Sequence, residues 1–190
     1  VKPLPPEFFD RPADVVAPDL LGATIISTLD GAVTSGRIVE TEAYLGLDDP
    51  ASHGYRGRRH AGNLSLYASP GTWYVYRSYG IHWCANLVTG GPAPGAAVLL
   101  RAVIPVGGIE EMRRRRGGMV GRILTNGPGK LCQALGVTGA LDGQQMNDSP
   151  VLVGKQTQRP VGRFSVTPRI GITKAADRPL RFLMHPLLLE

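Results

Sequence analysis

The chain has 190 residues, 43% of them apolar, and a net charge of +6 at pH 7. That length predicts one domain over 1–190 with a sizeable core, and the composition excludes a disordered chain. No run of about 18 apolar residues occurs, which excludes a membrane-spanning helix, and the opening "VKPLPPEFFD" lacks the apolar stretch of a signal peptide.

In chain order, "FFDRPADVVAPDLLG" predicts a short helix capped by Asp10, with Pro12 in its first turn and Gly22 at its end. Pro18 must kink or split it. "ATIIST" reads as a strand, "LDGA" as a tight turn at Asp30-Gly31, and "VTSGRIVETEAYLG" as the returning strand. Residues 47–71 form a long, polar, Gly-rich segment, and segments of that kind in a compact domain are usually functional or disordered. "TWYVYRSYGIHWCANLV" predicts a second hairpin turning at Ser78-Tyr79-Gly80, and "GAAVLLRAVIP" a further strand. "GGIEEMRRRRGG" predicts a helix whose early acids and late arginines suit the helix dipole, with Glu110–Arg114 and Glu111–Arg115 pairs. "NGPGKLCQALGV" predicts a helix ended by Gly136. It is not a Walker A loop, because Leu131 follows Lys130. Strands at "PVLVG", "RFSVTPRIGIT" and "RPLRFLM" complete the chain. Hairpin-joined strands with few helices predict an α+β fold: a curved, mainly antiparallel sheet with surrounding helices and a protruding hairpin.

Charge is unevenly placed. From Pro50 to Leu141 the acids are Glu110 and Glu111 alone, against ten arginines and Lys130. Arginine outnumbers lysine seventeen to four, a bias that suits planar recognition of phosphate. All six tyrosines lie between positions 44 and 79, with Trp73 and Trp83 beside them. Basic side chains interleaved with aromatics are what phosphate neutralisation and base stacking need, so nucleic acid is the first expected partner and an acidic membrane the second. The two cysteines, Cys84 and Cys132, sit in apolar stretches, as buried reduced thiols of an intracellular protein do.

Against this basic background, "VETEAYLG" places two glutamates in a strand-like run. Ile38, Glu40, Glu42 and Tyr44 should share one face of that strand. Glu40 reads best as an ion-pair partner of an arginine. The pair could also be the acid and base of a carbohydrate hydrolase. His53, His60, His82 and His185 show no zinc-site spacing, no G-x-S-x-G elbow supports a serine hydrolase, and no cofactor or metal is expected. Tyr79 at a hairpin tip, followed by Gly80, is a costly place for an aromatic without a partner.

"GRIVETEAYLG", the "SH" at 52–53, "PGTWYVYRSYGIHWCANL", "VLLRA" and "GPGKLCQALG" together resemble the alkyladenine (3-methyladenine) DNA glycosylase family, from "PPEFFDRPA" to "RPLRF". The resemblance implies a metal-free, monofunctional enzyme that acts on damaged double-stranded DNA as a monomer, in the cytoplasm of a bacterium or the nucleus of a eukaryote. Carried over by residue, it makes Glu42 the general base, Arg101 a holder of the attacking water, and the Ile170 carbonyl part of that cradle. It makes Tyr44, His53 and Tyr76 the walls around the flipped base, Asn86 the pocket floor that crowds normal guanine, and Tyr79 the intercalating ring. The expected substrates are 3-methyladenine and 7-methylguanine, with hypoxanthine and ethenoadenine as open cases. His82 after the wedge and a short "RIGITKAADRPLRF" segment depart from vertebrate members and suggest a bacterial one.

Overall fold

The computed structural model describes residues 1–155 and 164–184. It contains nine strands and four α-helices among those residues, in the order β1 (Lys2–Pro3), α1 (Pro6–Phe9), α2 (Ala13–Asp19), β2 (Thr24–Ser27), β3 (Thr34–Tyr44), β4 (Trp73–Ser78), β5 (His82–Val88), β6 (Ala97–Gly107), α3 (Ile109–Arg115), α4 (Pro128–Leu135), β7 (Val151–Lys155), β8 (Phe164–Thr167) and β9 (Arg181–Met184). The strands form one antiparallel sheet in the order β1-β7-β2-β3-β6-β5-β4. The second half of β3 also pairs with β9, and β9 with β8.

The predicted first helix is two. The chain breaks at Asp10–Pro12, not at Pro18, and Asp10 follows α1 without capping α2. Pro12 caps α2 from outside, where its fixed φ fits and no amide is needed. Pro18 lies near the end of α2, where little helix remains to be interrupted. The helix of "PGKLCQAL" ends, as expected, on Gly136 at φ 74°. In α3 the expected Glu111–Arg115 pair forms, whereas Glu110 holds Arg113 in place of Arg114, which Glu111 also holds. The long segment after β3 folds into short 3₁₀ turns at Gly46–Asp48, Tyr55–Gly57 and Ala61–Tyr67. Both cysteines are buried and free.

Strict alternation sorts the β4–β5–β6 side chains between two faces. Trp73, Val75, Ala85, Leu87, Val98 and Leu100 enter the main core under the helices. Tyr74 and Ala97 turn to the opposite face, where they pack with Leu66, Val88 and the partly buried Tyr76. Strand β3 breaks the alternation. Ile38 pairs with Val103 and Glu40 with Ala102, so Val39 is an extra residue and forms a bulge. Ile38 and Ala43 point into the core, and the Thr41 hydroxyl donates to Ala17 O of α2 at 2.8 Å. The bulge reverses the phase, so Ile38 does not share a face with the two glutamates, as regular pleating would require. An apolar side chain stays in the core while Glu40, Glu42 and Tyr44 turn the other way.

Candidate active site

On that second face lies a half-open cleft of about 340 Å³, lined by Tyr44, His53, Tyr74, Tyr76, Tyr79 and Asn86 together with the backbone around Gly171 and Ile172. Four of the six clustered tyrosines therefore meet here, while Trp73 is a core residue. Tyr74 and Tyr76 stack at 5.4 Å, and His53 stands edge-on to Tyr76 at 4.5 Å. The His53 Nδ1 and Tyr74 hydroxyl lie 2.6 Å apart. The Asn86 amide donates from Nδ2 to Tyr74 O at 3.0 Å, which fixes its plane at the cleft wall.

Glu42 lies directly behind Tyr44 and is fully buried. Its Oε2 accepts from the Tyr44 hydroxyl at 2.9 Å and from Arg101 Nη1 at 3.2 Å. Its Oε1 accepts from the Ile170 amide at 2.8 Å. A carboxylate offers about four lone-pair sites. Three are used, and the open one is on Oε1, beside Ile170. Arg101 is shared: its Nε donates to Glu40 Oε1 at 2.8 Å, an oxygen that also accepts from Arg181 Nε at 2.6 Å. Glu40 is thus held by two guanidiniums, the ion-paired state its sequence context suggested, and is not a spare acid. A buried carboxylate without partners would cost several kcal/mol, and the arginines offset that cost.

Burial, and then the Glu42 charge, raise the Tyr44 hydroxyl far above the usual phenol range. It therefore stays protonated and donating. Burial chiefly, with His60 nearby, lowers the pKa of His53, so its ring is neutral at pH 7.

The hairpin tip forms one rim of the cleft. Tyr79 is 88% exposed, and Ile81 beside it is exposed as well. The Ile81 amide closes the turn onto Ser78 O at 3.0 Å. Three exposed arginines, of which Arg77 lines the cleft, have no carboxylate partner among the described residues and rest on aromatic rings: Arg56 on Tyr55 at 5.1 Å, Arg59 on Tyr67 at 4.0 Å and Arg77 on Trp83 at 5.5 Å. Cation–π seating leaves their N–H groups facing water, free for phosphate. The Arg113–Arg115 run, by contrast, is already ion-paired, with Glu110, Glu111 and, at 3.6 Å from Arg115, Asp30.

A family model described as methylpurine-DNA glycosylase matches residues 7–186. The chain belongs to the methylpurine-DNA glycosylase family. A relative from Granulibacter bethesdensis is 47% identical over 181 residues, covering 94% of this chain and 82% of its own. One from Nitrobacter winogradskyi is 48% identical, covering 95% and 83%. One from Methanoculleus marisnigri is 46% identical, covering 95% and 94%. Each carries the name "Putative 3-methyladenine DNA glycosylase". The chain is a DNA glycosylase, a monofunctional hydrolase of N-glycosidic bonds.

Of the site residues the resemblance assigned, Tyr44, His53, Tyr76, Tyr79 and Asn86 line this cleft, while Glu42, Arg101 and Ile170 lie behind it. What sequence reasoning missed are Tyr74, which braces His53 and Asn86, and the pair Asp49–Arg169. Tyr74 lies within the tyrosine cluster that drew attention to its neighbours. Asp49 and Arg169 are 120 positions apart, and neither stands in a motif that points to the other. Among the described residues no group of three or more His, Cys, Asp or Glu could hold a metal ion; His185 lies outside them. No helix among them is long and apolar enough to cross a membrane.

Proposed function

We propose that this protein removes methylated purines from duplex DNA as the first step of base excision repair, with Glu42 activating the attacking water. The observation that carries this reading is one arrangement: a buried carboxylate, pinned by Tyr44, Arg101 and the Ile170 amide, backs an aromatic cleft whose rim bears an exposed tyrosine. A base inside a duplex cannot reach such a cleft, so the nucleotide must be extruded. Tyr79 fills the vacated stack. The purine then lies among Tyr44, His53 and Tyr76, with Asn86 crowding the amino group of normal guanine.

The chemistry follows from the leaving group. 3-Methyladenine and 7-methylguanine are cationic in the nucleotide and depart as neutral bases. The purine leaves with the electron pair of the glycosidic bond, and no acid is needed to protonate it. A water held at the open lone pair of Glu42 Oε1, beside Ile170 and within reach of Arg101, attacks C1′ and gives its proton to Glu42. The Glu42 charge also stabilises the oxocarbenium-like sugar. Cation–π contact favours the charged base by about 0.5–2 kcal/mol per ring. The enzyme acts as a monomer inside the cell, on the nucleoid in a bacterium.

A panel of duplexes, each with a single damaged purine, tests the reading. Abasic product from the 3-methyladenine and 7-methylguanine duplexes is expected; none from any duplex at enzyme excess would leave a non-catalytic binder. Hypoxanthine and ethenoadenine, being neutral, should be released more slowly. Borohydride should trap no covalent adduct.

Two further expectations concern recognition. Arg56→Ala, Arg59→Ala and Arg77→Ala should each weaken damaged and undamaged duplex alike and reduce the slope of log K against log salt by about 1; titrations between low and moderate salt read this directly. His53 has a lowered pKa, so it gains its proton only below the ordinary histidine range. Once charged, it repels a cationic purine. Binding of the 7-methylguanine duplex should therefore fall only at a pH below the ordinary histidine range, while His53→Gln should lose that acid limb.

A further inference from the structure

Arg169 and Asp49 form an ion pair in which both side chains are wholly buried. Asp49 lies just after β3, at the head of the segment that carries Ser52 and His53. Its Oδ2 accepts from the Leu45 amide and its Oδ1 from the Ala51 amide, each at 3.1 Å. Arg169 meets the same carboxylate with both Nη atoms, Nη2 to Oδ1 at 2.9 Å. Burial alone would raise the Asp49 pKa, but these bonds, that of Arg169 first, outweigh it and hold the carboxyl below its usual range. Arg169 Nη1 also donates to Ala43 O at 3.0 Å, between Glu42 and Tyr44.

Two features tie this pair to the reacting centre. The guanidinium lies over the Tyr44 ring at 4.7 Å. Arg169 is not among the cleft walls, whereas Tyr44 is, so the ring stands between guanidinium and cleft. The next residue along the chain is Ile170, whose amide donates to Glu42. One side chain thus connects the β3 strand, the base-pocket segment and the Ile170 turn. A buried ion pair is an expensive way to gain stability, since apolar residues of similar volume often do as well or better. Orientation is what apolar packing would supply less well.

We propose that Arg169, seated on Asp49, is a positioning residue for excision: it sets the Tyr44 ring and the Ile170 amide against Glu42 without touching DNA. The proposal rests on the assignment of Glu42 as the base. Loss of Arg169 loosens the ring on which the purine stacks and the cradle of the water, while the exposed arginines and Tyr79 stay in place. The signature is therefore a slow chemical step with nearly unchanged binding.

Two variants keep the test decisive. Arg169→Lys retains a charge opposite Asp49 but loses the bidentate bond and the planar stack. The double variant Asp49→Leu with Arg169→Met removes both charges and leaves none orphaned. Circular dichroism and thermal melting establish the folded fraction. The single-turnover excision rate at saturating enzyme is then measured on a 7-methylguanine duplex, and the affinity on the matching undamaged duplex. Expected for both variants is affinity within about threefold of wild type and excision slowed at least about thirtyfold per folded molecule. A folded double variant that excises at the wild-type rate overturns the proposal, as does a loss in Arg169→Lys that only tracks the unfolded fraction. Glu42→Gln serves as the control. If it too excises normally, the assignment of the base has failed; if it is inert while both Arg169 variants work, only the positioning role has.

Discussion

Glu42→Gln is expected to bind duplex carrying a methylated purine about as tightly as the unaltered protein, and to excise the base at least about a hundredfold more slowly. The reasoning is geometric. Glu42 is wholly buried behind Tyr44 and touches neither the rim nor the exposed arginines that would meet phosphate. Its loss should leave docking and flipping intact. The isosteric amide keeps an oxygen for one donor, so the loops around it need not move. What disappears is the negative charge that, on the proposed mechanism, would accept a proton from water and face the developing sugar cation. Arg101 retains Glu40 as a partner, which limits the cost of removing one carboxylate from a site of two arginines and two glutamates. The measurement is a single-turnover rate with enzyme in excess, beside a binding isotherm on the same duplex. Release of 7-methylguanine at the wild-type rate would remove Glu42 from the mechanism.

Tyr79→Asn is expected to make the protein slightly more stable and at least about tenfold slower on duplex. Tyr79 and Gly80 both have positive φ, 50° and 67°. A two-residue centre with both φ values positive is the primed hairpin turn, for which Asn-Gly is the preferred pair. A tyrosine there carries a strain of roughly 1–2 kcal/mol, and its ring is almost wholly in water. Nothing in the fold rewards that choice, whereas a gap in stacked DNA does. Asparagine relieves the backbone and removes the wedge. Thermal melting should show an unchanged or raised midpoint. Excision of a lesion in single-stranded DNA, where no stack needs filling, should be largely spared. A variant that is destabilised and equally impaired on both substrates would mean that Tyr79 serves the fold.

Much of this fold was legible in the chain because its signals are local. Gly31, Gly80 and Gly136 mark two turns and a helix end through backbone freedom that other residues lack. The alternation in "TWYVYRS" and "WCANLV" marks strands. It could not say which face is which, since tryptophan, tyrosine and valine are all apolar enough for a core. "RIGIT" reads as a continuing strand, yet β8 stops at Thr167, and the next residues turn so that the Ile170 amide can reach Glu42. The Val39 bulge has no signature in "RIVETEA"; it falls where one edge of β3 passes from β2, paired as far as Arg37, to β9, paired from Glu40.

The order of residue types along the chain determined most of the strands and turns, the arginine-rich and tyrosine-rich stretches, and the motifs that show the family. Tertiary structure alone decided that Glu40 is held by Arg101 and Arg181, that Glu42 turns away from the main core to lie buried behind Tyr44, and that Arg169 sits on Asp49 beside the same ring. The physical reason is range. Backbone preference and hydrophobic period act over a few residues. The partner that makes a buried charge tolerable can come from any distance along the chain, and only closing the sheet brings it within reach of a hydrogen bond.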